Sequence, residues 1–225
     1  MALKVENPLF PQRQEILTNY DYFDIAKATG YERFYGGVAD NGEYFVASSD
    51  IYSEIVYTQY TISGSEDTLY FEQDFDIEFN LPRIVKGKSY VAVPIGTYGG
   101  DPSGNSDISF YVTVIAYHYD GSTETQLATG TSRTYSRNSF QSNDPLGYVA
   151  TCILNISQTH FKKGETLRFT VKVYASENDT YSPILRVGHD PGNRFASGFE
   201  QPDPNANDEQ TPTTMMFDVP FKLDI

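Results

Sequence analysis

The sequence predicts an all-β fold: a two-sheet antiparallel β-sandwich, jelly-roll in topology, with an extended N-terminal arm. Three observations predict it. Apolar and polar residues alternate with a period of two along most of the chain, the signature of half-buried strands. Aromatic residues make up 15% of the 225 residues, as 18 Tyr and 15 Phe with no Trp, and such side chains suit a pleated surface. No run shows the 3.6-residue apolar period of a helix. About eight or nine strands spaced by turns fit two Greek keys better than a smaller immunoglobulin-like sandwich.

The elements follow in order. Residues 1–50 read as an arm or wrap with little regular structure, apart from a possible short strand at Tyr31–Tyr35. Residues 51–225 read as the sandwich. Tyr52–Ser63 is long and Tyr-rich. In Leu69–Leu81, Phe71, Phe75, Ile77 and Phe79 share one face, and Glu72, Asp74, Asp76 and Glu78 the other. Lys86-Gly87-Lys88 reads as a turn that launches Ser89–Ile95. Ile108–Tyr119 carries Ile108, Phe110, Val112, Val114 and Ala116 on one face. Asp120-Gly121 supplies the positive φ of a tight hairpin, with Glu124–Thr131 as its return strand. Tyr148–Ser157 is apolar on both faces and reads as central. Leu167–Ala175 alternates cleanly and points Arg168, Thr170 and Lys172 outward. Ile184–Val187 and Met215–Leu223 complete the set. Gly198–Thr214 is rich in Pro, Asn, Asp and Gln, and reads as a long surface excursion.

Charge and motifs narrow the function classes. A net charge of −14 argues against nucleic-acid binding, which needs a basic footprint. Cys152 is the only cysteine, so neither an internal disulfide nor a cysteine zinc site is expected. The N-terminus has no apolar signal core and no segment reads as membrane-spanning, so use without secretion is expected. No Gly-x-Ser-x-Gly elbow, phosphate loop or His-Glu-x-x-His motif occurs. His118 lies on an apolar strand face, as a satisfied core histidine would. The adjacent His189 and Asp190 sit in a turn, a weak catalytic hint.

The four carboxylates of Glu72, Asp74, Asp76 and Glu78 repel one another, so something must offset them. Three arrangements do so: a solvated outer face, cross-strand pairing with Arg168 and Lys172, or docking of a basic partner. Asp101, Ser103, Asn105 and Asp107 set oxygen atoms on alternate positions of a Gly-rich loop. Calcium suits such a set, so Asp101, Asn105 and Asp107 are the candidate calcium ligands. An EF-hand would need a carboxylate where Val112 stands. Tyr111, Tyr117 and Tyr119 share a face with Ile115, so that face calls for a cover.

The phrases Thr18-Asn-Tyr-Asp-Tyr-Phe-Asp-Ile-Ala-Lys-Ala-Thr-Gly-Tyr31 and Phe34-Tyr-Gly-Gly37 resemble the opening of small virion proteins of tailed bacteriophages. Phe161-Lys-Lys-Gly-Glu-Thr-Leu-Arg-Phe-Thr-Val-Lys-Val173 resembles a strand entry of the same group. The resemblance implies a non-enzymatic capsid decoration protein on the virion exterior, assembled in the host cytoplasm. It implies a homotrimer whose arm grips the major capsid protein or another virion protein. Leu9, Phe10, Ile16, Leu17, Tyr22 and Phe23 are the expected contacts. The alternative is a receptor- or glycan-binding module of a fibre or spike.

Overall fold

The computed structural model describes residues 29–39, 41–48, 55–100, 106–141, 144–177, 181–200 and 211–222. They form two antiparallel sheets packed as a sandwich. The larger sheet holds β1 (Thr29–Val38), β2 (Tyr44–Ala47), β3 (Tyr57–Thr61), β5 (Arg83–Tyr98), β9 (Leu146–Phe161), β11 (Ile184–Gly188) and β12 (Met215–Lys222). The smaller holds β4 (Thr68–Glu78), β6 (Ser106–Tyr119), β7 (Glu124–Thr131), β8 (Tyr135–Phe140) and β10 (Thr166–Ser176). Strand follows strand between the sheets: β4 to β5, β5 to β6, β8 to β9, β9 to β10 and β10 to β11 all cross the core.

Alternation decides what each sheet buries. Phe71, Phe75 and Ile77 of β4, Ile108 to Ala116 of β6, and Leu167 to Val173 of β10 turn every second side chain inward. They meet Val91, Val93 and Ile95 of β5, Cys152 and Leu154 of β9, and Phe217 of β12, all fully buried. The Cys152 thiol donates to the Val112 carbonyl across the core. Burial pushes its pKa up to about 12, so it is an inert core side chain.

Four expectations change. Thr29–Val38 and Tyr44–Ala47 are ladder strands of the larger sheet, paired with β12 and with each other; residues 1–28 lie outside the described ones. Lys86-Gly87-Lys88 does not turn the chain. It sits inside the 16-residue β5, where Gly87 takes φ +126° at a shift in register, and a strand continues through such a bulge. β9 is a border strand: among the described residues its ladder partner is β5, and its other side abuts β7. Gly130 of β7 packs against the Ile153 backbone so closely that a Cβ would collide.

The polar excursion also packs. Residues 189–200 and 211–214 lie across the outer face of β5, β9 and β11, and Phe199 is fully buried there. Gly147 N–H donates to Glu200 O at 2.7 Å and Thr211 N–H to Phe199 O at 2.7 Å. Arg186 lies between the rings of Tyr57 and Tyr98, its carbon 4.2 and 4.6 Å from their centroids, and donates to Ser197 O and Gln59 Oε1. The covering layer needs small residues beneath it: a Cβ on Gly96 would strike the Gly198 carbonyl. Residues 201–210 lie outside the described ones.

Gly96→Ala is therefore expected to destabilise the fold by about 1–3 kcal/mol through overpacking. Gly121→Ala supplies a contrast, since only its positive φ (+95°) opposes a Cβ there. Urea midpoints of the two variants check this.

Candidate interaction faces

The outer face of the smaller sheet is built by register. β10 lies between β4 and β6, so Asp76, Arg168 and Tyr117 form one cross-strand row, and Glu72, Lys172 and Thr113 another. Arg168 donates from Nε and Nη2 to the two Asp76 oxygens, both at 2.7 Å. It also donates to Glu124, and Asp74 lies 3.6 Å away. Its guanidinium carbon rests 4.9 Å from the Tyr119 ring centroid. Lys172 Nζ sits 2.7 Å from Glu72, and Thr170 donates to Asp74 at 2.6 Å. Of the three arrangements, cross-strand pairing is the one present. The hydrogen bond to Asp76 raises the Arg168 pKa, and that to Glu72 raises the Lys172 pKa. Tyr111 stacks on Tyr174 with centroids 5.0 Å apart, so part of the aromatic face covers itself.

The outer face of the larger sheet differs. Arg33 forms a bidentate pair with Asp218 at 2.7 and 2.9 Å. Asp218 stands opposite Tyr90, and Tyr90 opposite Ile153. Tyr90 and Ile153 are 38% and 49% exposed, more than core packing would leave them. Tyr31 lies 6.2 Å from Tyr90, ring to ring. Lys88 and Lys222 are exposed nearby. The face thus sets Arg33, Lys88 and Lys222 with Asp218 around an aromatic and aliphatic patch.

The histidines have structural partners. His118 Nε2 lies 2.7 Å from Glu165 Oε2, and its ring packs on Phe161. The Lys162 N–H, and after it His118, hold the Glu165 carboxyl below its ordinary pKa. His189 is fully buried, its Nε2 2.9 Å from Thr58 Oγ1, which also meets the Tyr44 hydroxyl at 2.9 Å. Asp190 turns away and accepts from the Arg194 N–H and Nε. Burial drives the His189 pKa down to about 4.

Asp107 accepts from the Ser139 N–H at 2.8 Å, whereas Asp101 and Asn105 lie outside the described residues. So do Leu9, Phe10, Ile16, Leu17, Tyr22 and Phe23. Among the described residues no three His, Cys, Asp or Glu side chains converge as metal ligands.

No protein-family model matches the chain, and no curated protein does. Solved structures similar to it include a CocE/NonD family hydrolase from Staphylococcus aureus (12% identity, TM-score 0.46, 87% of this chain and 37% of that one). An α-amino acid ester hydrolase matches at 12% identity and TM-score 0.47, over 84% of this chain and 36% of that one. An aminopeptidase from a marine sediment Thaumarchaeota archaeon matches at 12% identity and TM-score 0.49, over 86% and 37%. The chain spans just over a third of the length of these proteins. The expectation of a non-enzymatic capsid decoration protein, with a fibre or spike module as its alternative, is corrected by these neighbours, which are hydrolases and an aminopeptidase. The acidic face, one of whose three arrangements was docking of a basic partner, is engaged by Arg168 and Lys172.

Two outcomes follow from the pairing and burial described. Arg168→Met leaves Asp76, Asp74 and Glu124, each more than 40% exposed, to repel one another and is expected to cost about 0.2–1 kcal/mol per pair lost; adding Asp76→Asn restores part of it, as a double-mutant cycle by denaturation would measure. For His189, the folded pKa of about 4 lies below the ordinary 6.5, so between these values the unfolded chain binds the proton more readily. Stability therefore falls as pH drops from 6.5 towards 4, by about 3 kcal/mol at most. His189→Gln flattens that slope in urea titrations at stepped pH.

Proposed function

We propose that this chain is a self-assembling β-sandwich module whose copies associate head to tail. The supporting observation is the contrast between its two outer faces. One is apolar and cationic, with Tyr31, Tyr90 and Ile153 beside Arg33, Lys88 and Lys222. The other carries Glu72, Asp74, Asp76, Glu78 and Glu124 against Arg168 and Lys172. A cationic face on a chain of net charge −14 is where a second acidic copy meets attraction in place of repulsion. A head-to-tail contact of unlike faces closes into a ring if the rotation permits and otherwise extends into an open stack.

The size of the patch sets the strength. Four strands at about 4.8 Å spacing span roughly 19 Å, so the contact falls at the low end of specific interfaces, near 1,200 Å² in total. Each large side chain it buries contributes about 1.5–3 kcal/mol, offset by the cost of association. Reversible assembly is the consequence. We also read the strand orders β3-β11-β5-β9 and β4-β10-β6-β7 as jelly-roll connectivity; residues 189–200 and 211–214 cover the Gly96 and Gly147 end of the larger outer face, while Tyr90 and Ile153 stay exposed.

Sedimentation velocity on the full chain at rising concentration is expected to show a species at a multiple of 25.3 kDa. Added salt weakens it. Tyr90→Glu with Ile153→Asp abolishes it, and Lys88→Glu with Lys222→Glu weakens it. A monomer at every concentration in low salt defeats the proposal.

A further inference from the structure

We propose that a cleft between β1 and the β4–β5 connection is a binding site for a small protonated amine with an apolar body. The cleft measures about 280 Å³. Its floor is apolar, from Phe34, Ile77 and Phe79, and its charged groups are Glu32, Glu78 and Arg83. It exists because of a gap in pairing. β2 covers β1 only over Tyr35–Val38, so the stretch from Thr29 to Phe34 has no ladder on that side among the described residues. β4 is the border strand of the smaller sheet. The two sheets part here and leave core aromatics at the bottom of an open groove.

The charges select the ligand. Glu32 has the parity of Phe34 and turns towards the inside of the sandwich, where it is half-buried. Among the described residues neither Glu32 nor Glu78 has a side-chain hydrogen bond or an ion pair. Burial raises the Glu32 pKa, opposed by the charge of Arg83. Arg83 is held at the rim, its carbon 5.6 Å from the Phe221 ring centroid, and makes no ion pair within 4.0 Å of either carboxylate. Glu78 is exposed at the end of β4, opposite in parity to Ile77 and Phe79, and borders the cleft at its rim, so two carboxylates, one inside and one at the rim, stand against one guanidinium. An ammonium group supplies the donors and the charge that Glu32 and Glu78 lack. The floor, with Leu81 also in the lining, takes the apolar remainder. The volume lies just below the range of drug-sized sites, so the ligand has few heavy atoms.

The test uses benzylamine as the probe and benzyl alcohol as its neutral counterpart. Each is titrated into the full ¹⁵N-labelled chain at pH 7.5 and followed by amide shifts. Saturable benzylamine shifts are expected around Glu32, Phe34 and residues 77–83, with little response to the alcohol. Glu32→Gln is expected to weaken binding about tenfold, the worth of one charge-assisted hydrogen bond. Arg83→Ala is expected to tighten it by about threefold or more, since a like charge is removed. The opposite signs keep the test decisive if one variant misfolds. Equal shifts from the alcohol, shifts without saturation, or weaker binding by Arg83→Ala would overturn the proposal.

Discussion

The fold turns on one aromatic contact between the sheets. Phe217 of β12 sits 5.2 Å from Phe75 of β4 and 5.2 Å from Phe169 of β10, centroid to centroid. Phe34 lies beside it in register, and Tyr44 meets Phe75 edge-on at 5.7 Å. Gly36 leaves the space this needs, since a Cβ there would come within 2.8 Å of the Phe75 ring. Each buried Phe contributes about 1.5–3 kcal/mol by area, and a well-placed ring pair adds about 0.5–1.5. The contact joins residues near both ends of the chain, so it forms only once almost every strand is in place. Loop-closure cost must be met before this contact rewards it, and slow folding follows.

That non-locality explains what the sequence did and did not reveal. Alternation is a local property, so the inward faces of β4, β6 and β10 and the hairpin at Gly121 could be read directly. Register is not local. That Arg168 lies opposite Asp76 depends on β10 pairing with a strand 92 residues earlier, so both partners were visible but their meeting was one of three possibilities. Gly87 between two lysines reads as a turn because glycine serves bulges and turns alike. Ile153 made β9 look central, yet that side chain is simply half exposed on an outer face. Phe199 is hidden in polar surroundings, because its burial depends on distant strands: Gly96 of β5 leaves room for its ring and Tyr57 of β3 lies 6.2 Å from it, ring to ring. The cleft around Glu32 left no local trace either, since its charged groups come from β1, β4 and the start of β5.

The charge distribution has a structural logic of its own. β4 is a border strand, and a row of carboxylates on such a strand discourages further edge pairing. Those charges would weaken the fold if left alone, and Arg168, with hydrogen bonds to two carboxylates and a third carboxylate nearby, offsets most of the repulsion. An isolated surface pair is worth little. A planar guanidinium held over Tyr119 and forked onto Asp76 loses less on ordering than a lysine would. Lys172, with one partner, is the weaker brace.

The two borders of the sandwich are closed differently, and this sets where ligands can enter. At the β7–β9 border Gly130 lets one backbone lie against the other at Ile153, so the two strands close on each other there. At the β1–β4 border the side chains facing one another are Glu32, Phe34, Ile77 and Phe79, and none is small enough to let the backbones meet. A carboxylate at that height also resists closure, because sealing the gap would strip Glu32 of its remaining solvent without giving it a partner. The opening is therefore maintained by the same residues that would hold a cation in it.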